Sequence, residues 1–162
     1  MNVEDATQAD LPGIRELINH AITTGVAVFD ETPKTVAEVE SWFAAKQKAE
    51  LPVLVVRDAA GVAGYASYGP FRPWGCYRFT VEHGVHVRTD VQRRGLGKKL
   101  LEALTERARA AGMHVMVGGI EGSNDASLQL HRELGFVESG RLPEVGRKFD
   151  NWLTLIFMQK TL

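Results

Sequence analysis

The segment Val85-His86-Val87-Arg88-Thr89-Asp90-Val91-Gln92-Arg93-Arg94-Gly95-Leu96-Gly97-Lys98-Lys99-Leu100 holds the residues best suited to grip an anion. A β-branched stretch enters a short loop containing Arg93, Arg94, Gly95 and Gly97, and the loop opens into an amphipathic helix. A helix N-terminus presents unpaired N–H groups and the positive end of the macrodipole. Glycine lets the backbone approach a phosphate closely. Arg93, Arg94 and Lys98 add positive potential where the dipole alone disfavours cations, which favours a ligand over a plain capped helix. The dinucleotide fingerprint fails because Leu100 stands where its third glycine belongs. The P-loop fails because position 92 is Gln and Lys99 replaces the magnesium hydroxyl.

Just upstream lie Glu82, His83, Gly84 and His86. On a strand, alternation puts Glu82, Gly84 and His86 on one face and His83 on the other. A partly desolvated carboxylate has a raised pKa and can serve as a general base, with His86 beside it as a proton relay; a salt-bridged strand glutamate is the alternative. One ion cannot easily bind histidines on opposite faces, and no H-E-x-x-H occurs, so no metal site is expected. Cys76 has no activating base beside it in sequence. Arg72-Pro73-Trp74 offers a guanidinium fork suited to a carboxylate. Tyr65, Tyr68, Phe71 and Trp74 are either pocket wall or core, and wall is expected for Trp74. His131 titrates in a usable range, though helix histidines are commonly structural. Asn124 reads as an N-cap.

These groups need elements to position them. Thr7-x-x-Asp10 and Thr35-x-x-Glu38 are capping boxes that open two helices. The first carries Leu11, Ile14, Leu17, Ile18 and Ala21 on one face; the second carries Val39, Trp42 and Phe43. Strands are expected at Val53–Arg57, Val62–Tyr68 and Tyr77–Val87, with a hairpin turn at Asp58–Gly61 and an irregular loop over Gly69–Cys76. Leu96, Leu100, Ala103, Leu104, Ala108 and Ala111 define a third helix, closed by Gly112. A strand at Met113–Gly118, a helix from Asn124 to Leu134 closed by Gly135, and strands at Phe136–Gly140 and Trp152–Gln159 complete the chain. The order predicts an α/β or α+β fold, a mixed sheet with helices on both sides.

Composition narrows the function. A chain of 162 residues, 44% hydrophobic and 24% charged, fits one domain over 1–162 that buries a core without disulfides. A net charge of -1 argues against a nucleic-acid binder. A single cysteine points to a reducing, cytoplasmic setting. The apolar runs are too short for a membrane span, and the acidic N-terminus is no signal peptide.

Gln92-Arg93-Arg94-Gly95-Leu96-Gly97 resembles the Q/R-x-x-G-x-G/A signature of the GNAT acetyltransferases. Thr80–Val87, Gly119–Ser127, Leu130–Phe136, Pro143–Phe149 and Trp152 are similar to the branch that acetylates phosphinothricin and methionine sulfoximine. The resemblance implies a mostly antiparallel central sheet flanked by helices and an N-acetyltransferase using acetyl-CoA. It implies that Arg93, Arg94, Gly95, Leu96, Gly97 and Lys98 hold the pyrophosphate and that Asn124 meets the coenzyme arm. It implies that backbone groups of Val85, His86 and Val87 face the thioester on a strand that splays from its neighbour. Glu82 is the implied general base, and His131, where much of the superfamily has tyrosine, a candidate acid. His86 departs from the aromatic common at its position.

The implied substrate is a small amino acid or analogue with a sulfoximine, sulfone or phosphinate tip. Phe29, Arg72, Pro73, Trp74, Glu82, His83 and Gly84 would line its site, with Arg72 on the carboxylate. Lys148 would lie near the tip, from its own chain or from the partner of a homodimer, or be a solvated surface cation. A peptide N-terminus, another small amine, or a non-catalytic acyl-CoA sensor are the alternatives.

Overall fold

Leucines at helical spacing and alternating β-branched residues sort the chain into a sheet covered on both faces. The computed structural model describes residues 1–162. Its strands are β1 (Val3–Asp5), β2 (Val53–Asp58), β3 (Gly61–Pro70), β4 (Thr80–Val87), β5 (Val115–Glu121), β6 (Val137–Lys148) and β7 (Asn151–Thr161). Its helices are α1 (Leu11–Thr24), α2 (Val36–Lys48), α3 (Leu96–Ala110) and α4 (Asp125–Glu133). The strands form one sheet in the order β1-β2-β3-β4-β5-β7-β6. Only the central β4–β5 pair is parallel.

Strand β2 shows why both faces are covered. Leu54 and Val56 join the core beneath α3, with Leu96, Leu100, Leu101, Leu104 and Ala108. Val53 and Val55 turn the other way and join Leu11, Ile14 and Leu17 of α1 and Val39 and Phe43 of α2. A strand buried on both sides reads as a continuous apolar run, as Val53–Val56 does.

The Thr35–Glu38 box closes as expected: Glu38 N–H donates to Thr35 Oγ1 at 3.2 Å and Thr35 N–H to Glu38 Oε2 at 2.7 Å. The Thr7–Asp10 box closes too, Thr7 N–H donating to Asp10 Oδ2 at 2.7 Å, but its setting differs. It brackets a 3₁₀ turn, Gln8–Asp10, ahead of α1. Arg57 grips the buried Asp10 carboxylate through Nε and a terminal nitrogen, each at 2.7 Å. That hydrogen bonding holds the Asp10 pKa down at about 2. Gly112 and Gly135 end α3 and α4 with φ of 75° and 83°, the left-handed conformation expected there.

Strand limits move where tertiary pairing overrides local pattern. Gly75–Tyr77 is a 3₁₀ turn, so β4 begins at Thr80 rather than Tyr77, while β3 runs on to Pro70. Strand β5 starts at Val115 and extends to Glu121, pairing with β7 throughout. The largest difference is β6. It continues past Gly140 to Lys148 because two register shifts, at Glu138/Gly140 and Leu142/Gly146, absorb Pro143 into the ladder with β7. The stretch Gly146–Trp152 is therefore a tight hairpin whose corner, Phe149-Asp150, has φ of 49° and 61°.

Candidate active site

The β4–β5 ladder runs from Thr80↔Val115 to His83↔Gly118 and stops there. Both strands continue, β4 to Val87 and β5 to Glu121, so they part beyond that point. Two bonds fix which groups face the gap. Phe71 N–H donates to Thr80 O at 3.2 Å, and Arg88 N–H donates to Ala63 O at 2.8 Å. Counting alternate residues between them, Glu82, Gly84 and His86 direct their backbone groups at β3. Val85 and Val87 direct theirs into the gap, and Gln92 Nε2 donates to Val87 O at 3.3 Å. Of the expected backbone contacts, Val85 and Val87 are thus offered, while the His86 amide belongs to β3.

Beside the gap is the start of α3. Gly95, its N-cap, has φ of 79°, a conformation that glycine adopts without strain. Lys99 N–H donates to Gly95 O at 3.1 Å. The N–H groups of Leu96, Gly97 and Lys98 precede that first helical bond and have no partner within the helix. Leu96 contributes only backbone, since its side chain lies in the core. Arg93, Arg94 and Lys98 are exposed around the turn. A Cβ on Gly97 would stand 3.5 Å from Leu130 of α4 and 3.7 Å from Val87, so α3, α4 and β4 converge at this glycine. Asn124 caps α4, its Oδ1 accepting from Ser127 N–H at 3.1 Å.

The face carrying Glu82 also carries an aromatic cluster. Burial raises the Glu82 pKa, the Arg72 charge opposes the rise, and no hydrogen bond contributes. Arg72 is exposed, its guanidinium 4.1 Å from the centre of the Phe71 ring. Phe71 packs against Tyr77 at 5.9 Å and Phe157 at 6.0 Å between ring centres. Phe157 and Leu155 of β7 flank Gly119, which itself lies against Glu82. Sequence reasoning missed Gly119, Leu155 and Phe157. The Gly118-Gly119 pair inside a strand was the available signal, because strand glycines often mark a close approach. Trp74 is 67% exposed, whereas Tyr65 and Tyr68 are core. Pro73 is also exposed beside Trp74.

Histidines divide between the two faces. His86 stacks on Tyr65 with ring centres 5.1 Å apart, and burial lowers its pKa to about 4. It is therefore a neutral packing group near neutral pH, and no hydrogen bond joins it to Glu82 as a relay. His83 faces α4 on the far side of β4 from Glu82, so it is not a wall of the Glu82 pocket. Its Nε2 lies 3.1 Å from His131 Nε2, and the rings stack at 5.0 Å. His131 Nδ1 is 2.7 Å from Ser127 O. Both ring nitrogens of His131 are engaged inside the protein, which favours the structural alternative over the candidate acid.

Lys148 is also placed differently. It is neither solvated nor free: it is 2% exposed, and its Nζ donates to Val28 O at 2.8 Å. Burial lowers its pKa while Glu31 and Asp30 oppose that shift. Phe29 packs on Gly146, where a Cβ would come within 2.8 Å of its ring. Phe29 and Lys148 thus meet through the Val28–Glu31 segment, away from any shown contact with Glu82. Cys76 is exposed in the 3₁₀ turn. No three His, Cys, Asp or Glu side chains gather as metal ligands. A cavity of about 500 Å³ lies elsewhere, at the ends of α2 and α3 beside Tyr68 and Arg107.

Parting strands beside a glycine-rich helix start have close relatives. An L-methionine sulfoximine/L-methionine sulfone acetyltransferase of Pseudomonas paraeruginosa is 52% identical over 162 residues, covering 99% of this chain and 94% of its own. An L-amino acid N-acyltransferase of Escherichia coli is 45% identical, covering 100% of this chain and 94% of its own. The crystal structure of a GNAT superfamily phosphinothricin acetyltransferase from Sinorhizobium meliloti in complex with acetyl-CoA superposes with a TM-score of 0.96 at 36% identity, covering 99% of this chain and 88% of its own. The family model matches residues 14–136, which include the splayed strands and the anion-binding turn, and this chain belongs to the acetyltransferase (GNAT) family.

Proposed function

We propose that the protein transfers the acetyl group of acetyl-CoA to the α-amino group of a small amino acid or analogue, of the methionine sulfoximine, methionine sulfone or phosphinothricin type. The observation that carries this reading is the half-buried, hydrogen-bond-free Glu82 carboxylate beside the Phe71–Phe157 aromatic cluster, with the Arg72 cation nearby. Sulfoximine, sulfone and phosphinothricin substrates are those named for its relatives.

The residues fit the coenzyme. The free amides of Leu96, Gly97 and Lys98, with Arg93, Arg94 and Lys98 around them, suit a pyrophosphate. The amides of Val85 and Val87 suit the pantetheine arm and the thioester, and Asn124 Nδ2 is left to meet the arm. The coenzyme supplies an acetyl thioester. Glu82 accepts the proton of the substrate ammonium, directly or through water, and frees the nitrogen lone pair. Nitrogen bonds to the acetyl carbon as the carbon–sulfur bond breaks, its electron pair leaving on sulfur, and the second proton that nitrogen sheds as the amide forms passes through solvent to the thiolate. A backbone N–H aimed at the developing oxyanion is worth about 3–4 kcal/mol, and Val85 is our candidate donor. The Arg72 fork suits the substrate carboxylate, and the aromatic wall with Trp74 suits the side chain. Phe29 and Lys148 would act from the rim, through the Val28–Glu31 segment.

No helix is long and apolar enough to cross a membrane. A lone exposed cysteine suits a reducing cytoplasm. We further read the protein as a homodimer built on the β6–β7 hairpin.

A thiol-release assay over amino acids and their sulfoximine, sulfone and phosphinate analogues tests the reading. Turnover of such analogues, with esters of the same compounds much poorer, is expected. Equal turnover of ester and free acid would refute an amino-acid site.

A further inference from the structure

We propose that His83 and His131 form a positioning pair for the cofactor slot rather than a proton source: His83 donates its Nε2–H to His131 Nε2 and ties α4 to β4 where β4 and β5 part. The inference rests on the acetyl-transfer reading for the slot's purpose and on geometry for the pair itself.

The hydrogen-bond pattern dictates both tautomers. Ser127 O, a carbonyl, can only accept, so His131 Nδ1 at 2.7 Å must carry a hydrogen. The Ser127 hydroxyl, 3.5 Å away, is the weaker partner. A neutral His131 then has only a lone pair on Nε2. His83 Nε2, 3.1 Å away, must supply the hydrogen between the rings. His83 Nδ1 is left as a lone pair, buried and without a partner. Charging the pair would place a proton on that orphaned nitrogen. Burial keeps both rings neutral near neutral pH, lowering His83 to about 3 and lowering His131 as well. The nitrogen of His131 that faces away from Ser127 therefore has no proton to give a leaving thiolate.

Position explains what the pair does instead. A Cβ on Gly118 would stand 2.7 Å from His83 Nε2 and 3.2 Å from His131 Nε2. Gly118 is the last residue of β5 paired with β4, so the imidazole contact sits at the apex of the splay. Phe136 braces both rings edge-on, with centres 5.7 and 5.1 Å away. The helix so tied, α4, carries Asn124 at its start and Leu130 against Gly97. Its placement therefore fixes where Leu130 meets the anion turn and where Asn124 stands beyond it.

Long-range ¹⁵N–¹H spectra of the histidine rings in the ligand-free wild type, near neutral pH, should show His131 protonated on Nδ1 alone and His83 on Nε2 alone. His83→Asn and His131→Asn should each weaken acetyl-CoA binding by calorimetry about tenfold or more, as expected for a misplaced helix. Their losses should appear in the KM for acetyl-CoA more than in kcat. A proton on His131 Nε2 would overturn the proposal. So would a kcat loss of about 10²–10⁴ in His131→Asn alone, with coenzyme affinity intact, which is the signature of a lost acid. Should either variant fail to fold, the wild-type spectrum still decides. A wild type that binds the coenzyme yet acetylates no amino acid overturns the substrate reading, while spectrum and affinity continue to judge the pair.

Discussion

Glu82 Oε1 lies 3.3 Å from the place where a Cβ would stand on Gly119. The carboxylate occupies space that exists only because β5 has no side chain there. Leu155 crowds the same point from β7, also at 3.3 Å. Gly119→Ala must therefore displace Glu82, Leu155 or both by a few tenths of an ångström. We expect kcat/KM for the amine to fall by up to about 10²-fold, the scale of a small misplacement at a reacting group. Thermal unfolding and acetyl-CoA affinity should change little. Steady-state kinetics beside calorimetry check the separation, and unchanged kinetics in a folded variant would deny Glu82 its role.

Glu82→Gln keeps the shape and removes the basicity, so the rate near neutral pH should fall by about 10²–10⁴. The pH profile of kcat/KM gives a finer test. Burial raises the Glu82 pKa and Arg72 opposes the rise, so activity should fade as pH drops through a point above the usual carboxylate range. Removing the cation in Arg72→Leu should move that acid limb to higher pH. Arg72→Lys should leave the limb nearer its original position yet raise the KM for the amino acid, because lysine cannot reproduce the two-point fork.

Much of this site is legible in the sequence. Helix α3, its left-handed Gly112 cap and the strand ahead of it follow from local pattern, because capping and amphipathicity are local physics. The shared face of Glu82, Gly84 and His86 follows from strand alternation. The splay after His83↔Gly118 was expected only through the family resemblance, since the end of a ladder depends on partners far away in sequence. The His83–His131 contact joins a strand to a helix across 48 positions and left no local trace. Lys148 was read as near the substrate or solvated because lysines are rarely buried. Its carbonyl partner at Val28 lies 120 positions away and only the fold supplies it. The extent of β6 was hidden by Pro143, which ends most strands but here sits inside a register shift.

Acid should loosen the fold through its buried histidines. Burial lowers the pKa of His86 to about 4 and that of His83 to about 3, below the ordinary histidine value of about 6.5. A group depressed in this way contributes stability fully above its unfolded pKa. That stability is lost as pH falls below about 6.5 towards the folded values. Each group that must gain a proton on unfolding adds a slope of up to about 1.4 kcal/mol per pH unit. Denaturant unfolding of the wild type between neutral pH and pH near 4 should show the decline, and His86→Phe should make it shallower. A parallel pair of stability curves would show that His86 is free to charge in the folded protein.

The turn at the start of α3 separates backbone cost from ligand cost. Gly95 has φ of 79° and open space beyond its Cα. Gly95→Ala should therefore cost about 1–2 kcal/mol of stability through strain alone. Gly97 has ordinary backbone, and a Cβ there meets Leu130 and Val87 only at normal contact distance. Gly97→Val adds bulk at that junction and in the proposed phosphate path. It should weaken acetyl-CoA binding well beyond its effect on the melting temperature. Calorimetry and thermal melts of both variants test the contrast, and unchanged affinity in folded Gly97→Val would remove the pyrophosphate from this turn.

The β6–β7 hairpin leads to the last prediction. Val137, Leu142, Val145, Phe149 and Trp152 are exposed along it, Trp152 by 61%. Strand β6 is the sheet edge, and long exposed edges invite pairing with another chain. The hairpin corner holds Phe149 at φ of 49°, a conformation that costs a bulky residue about 1–2 kcal/mol. Strain kept at a surface position is reason to look for a function there, and presenting an aromatic ring to a partner is one that fits. Arg147 lies 5.2 Å from the centre of the Trp152 ring, so the tip pairs the residue types enriched in interfaces. A two-fold dimer would cover the same patch on both subunits. Sedimentation at micromolar concentration should show a dimer. Trp152→Glu should weaken it by about 2 kcal/mol or more, roughly 30-fold in the dissociation constant, as for a central aromatic anchor. With Phe29 and Lys148 tied to the same end of β6, the monomeric variant should also show a raised KM for the amino acid while acetyl-CoA affinity holds. A wild type that sediments as a monomer would leave this apolar edge without its proposed occupant, and a monomeric Trp152→Glu with unchanged KM would confine the dimer to assembly alone.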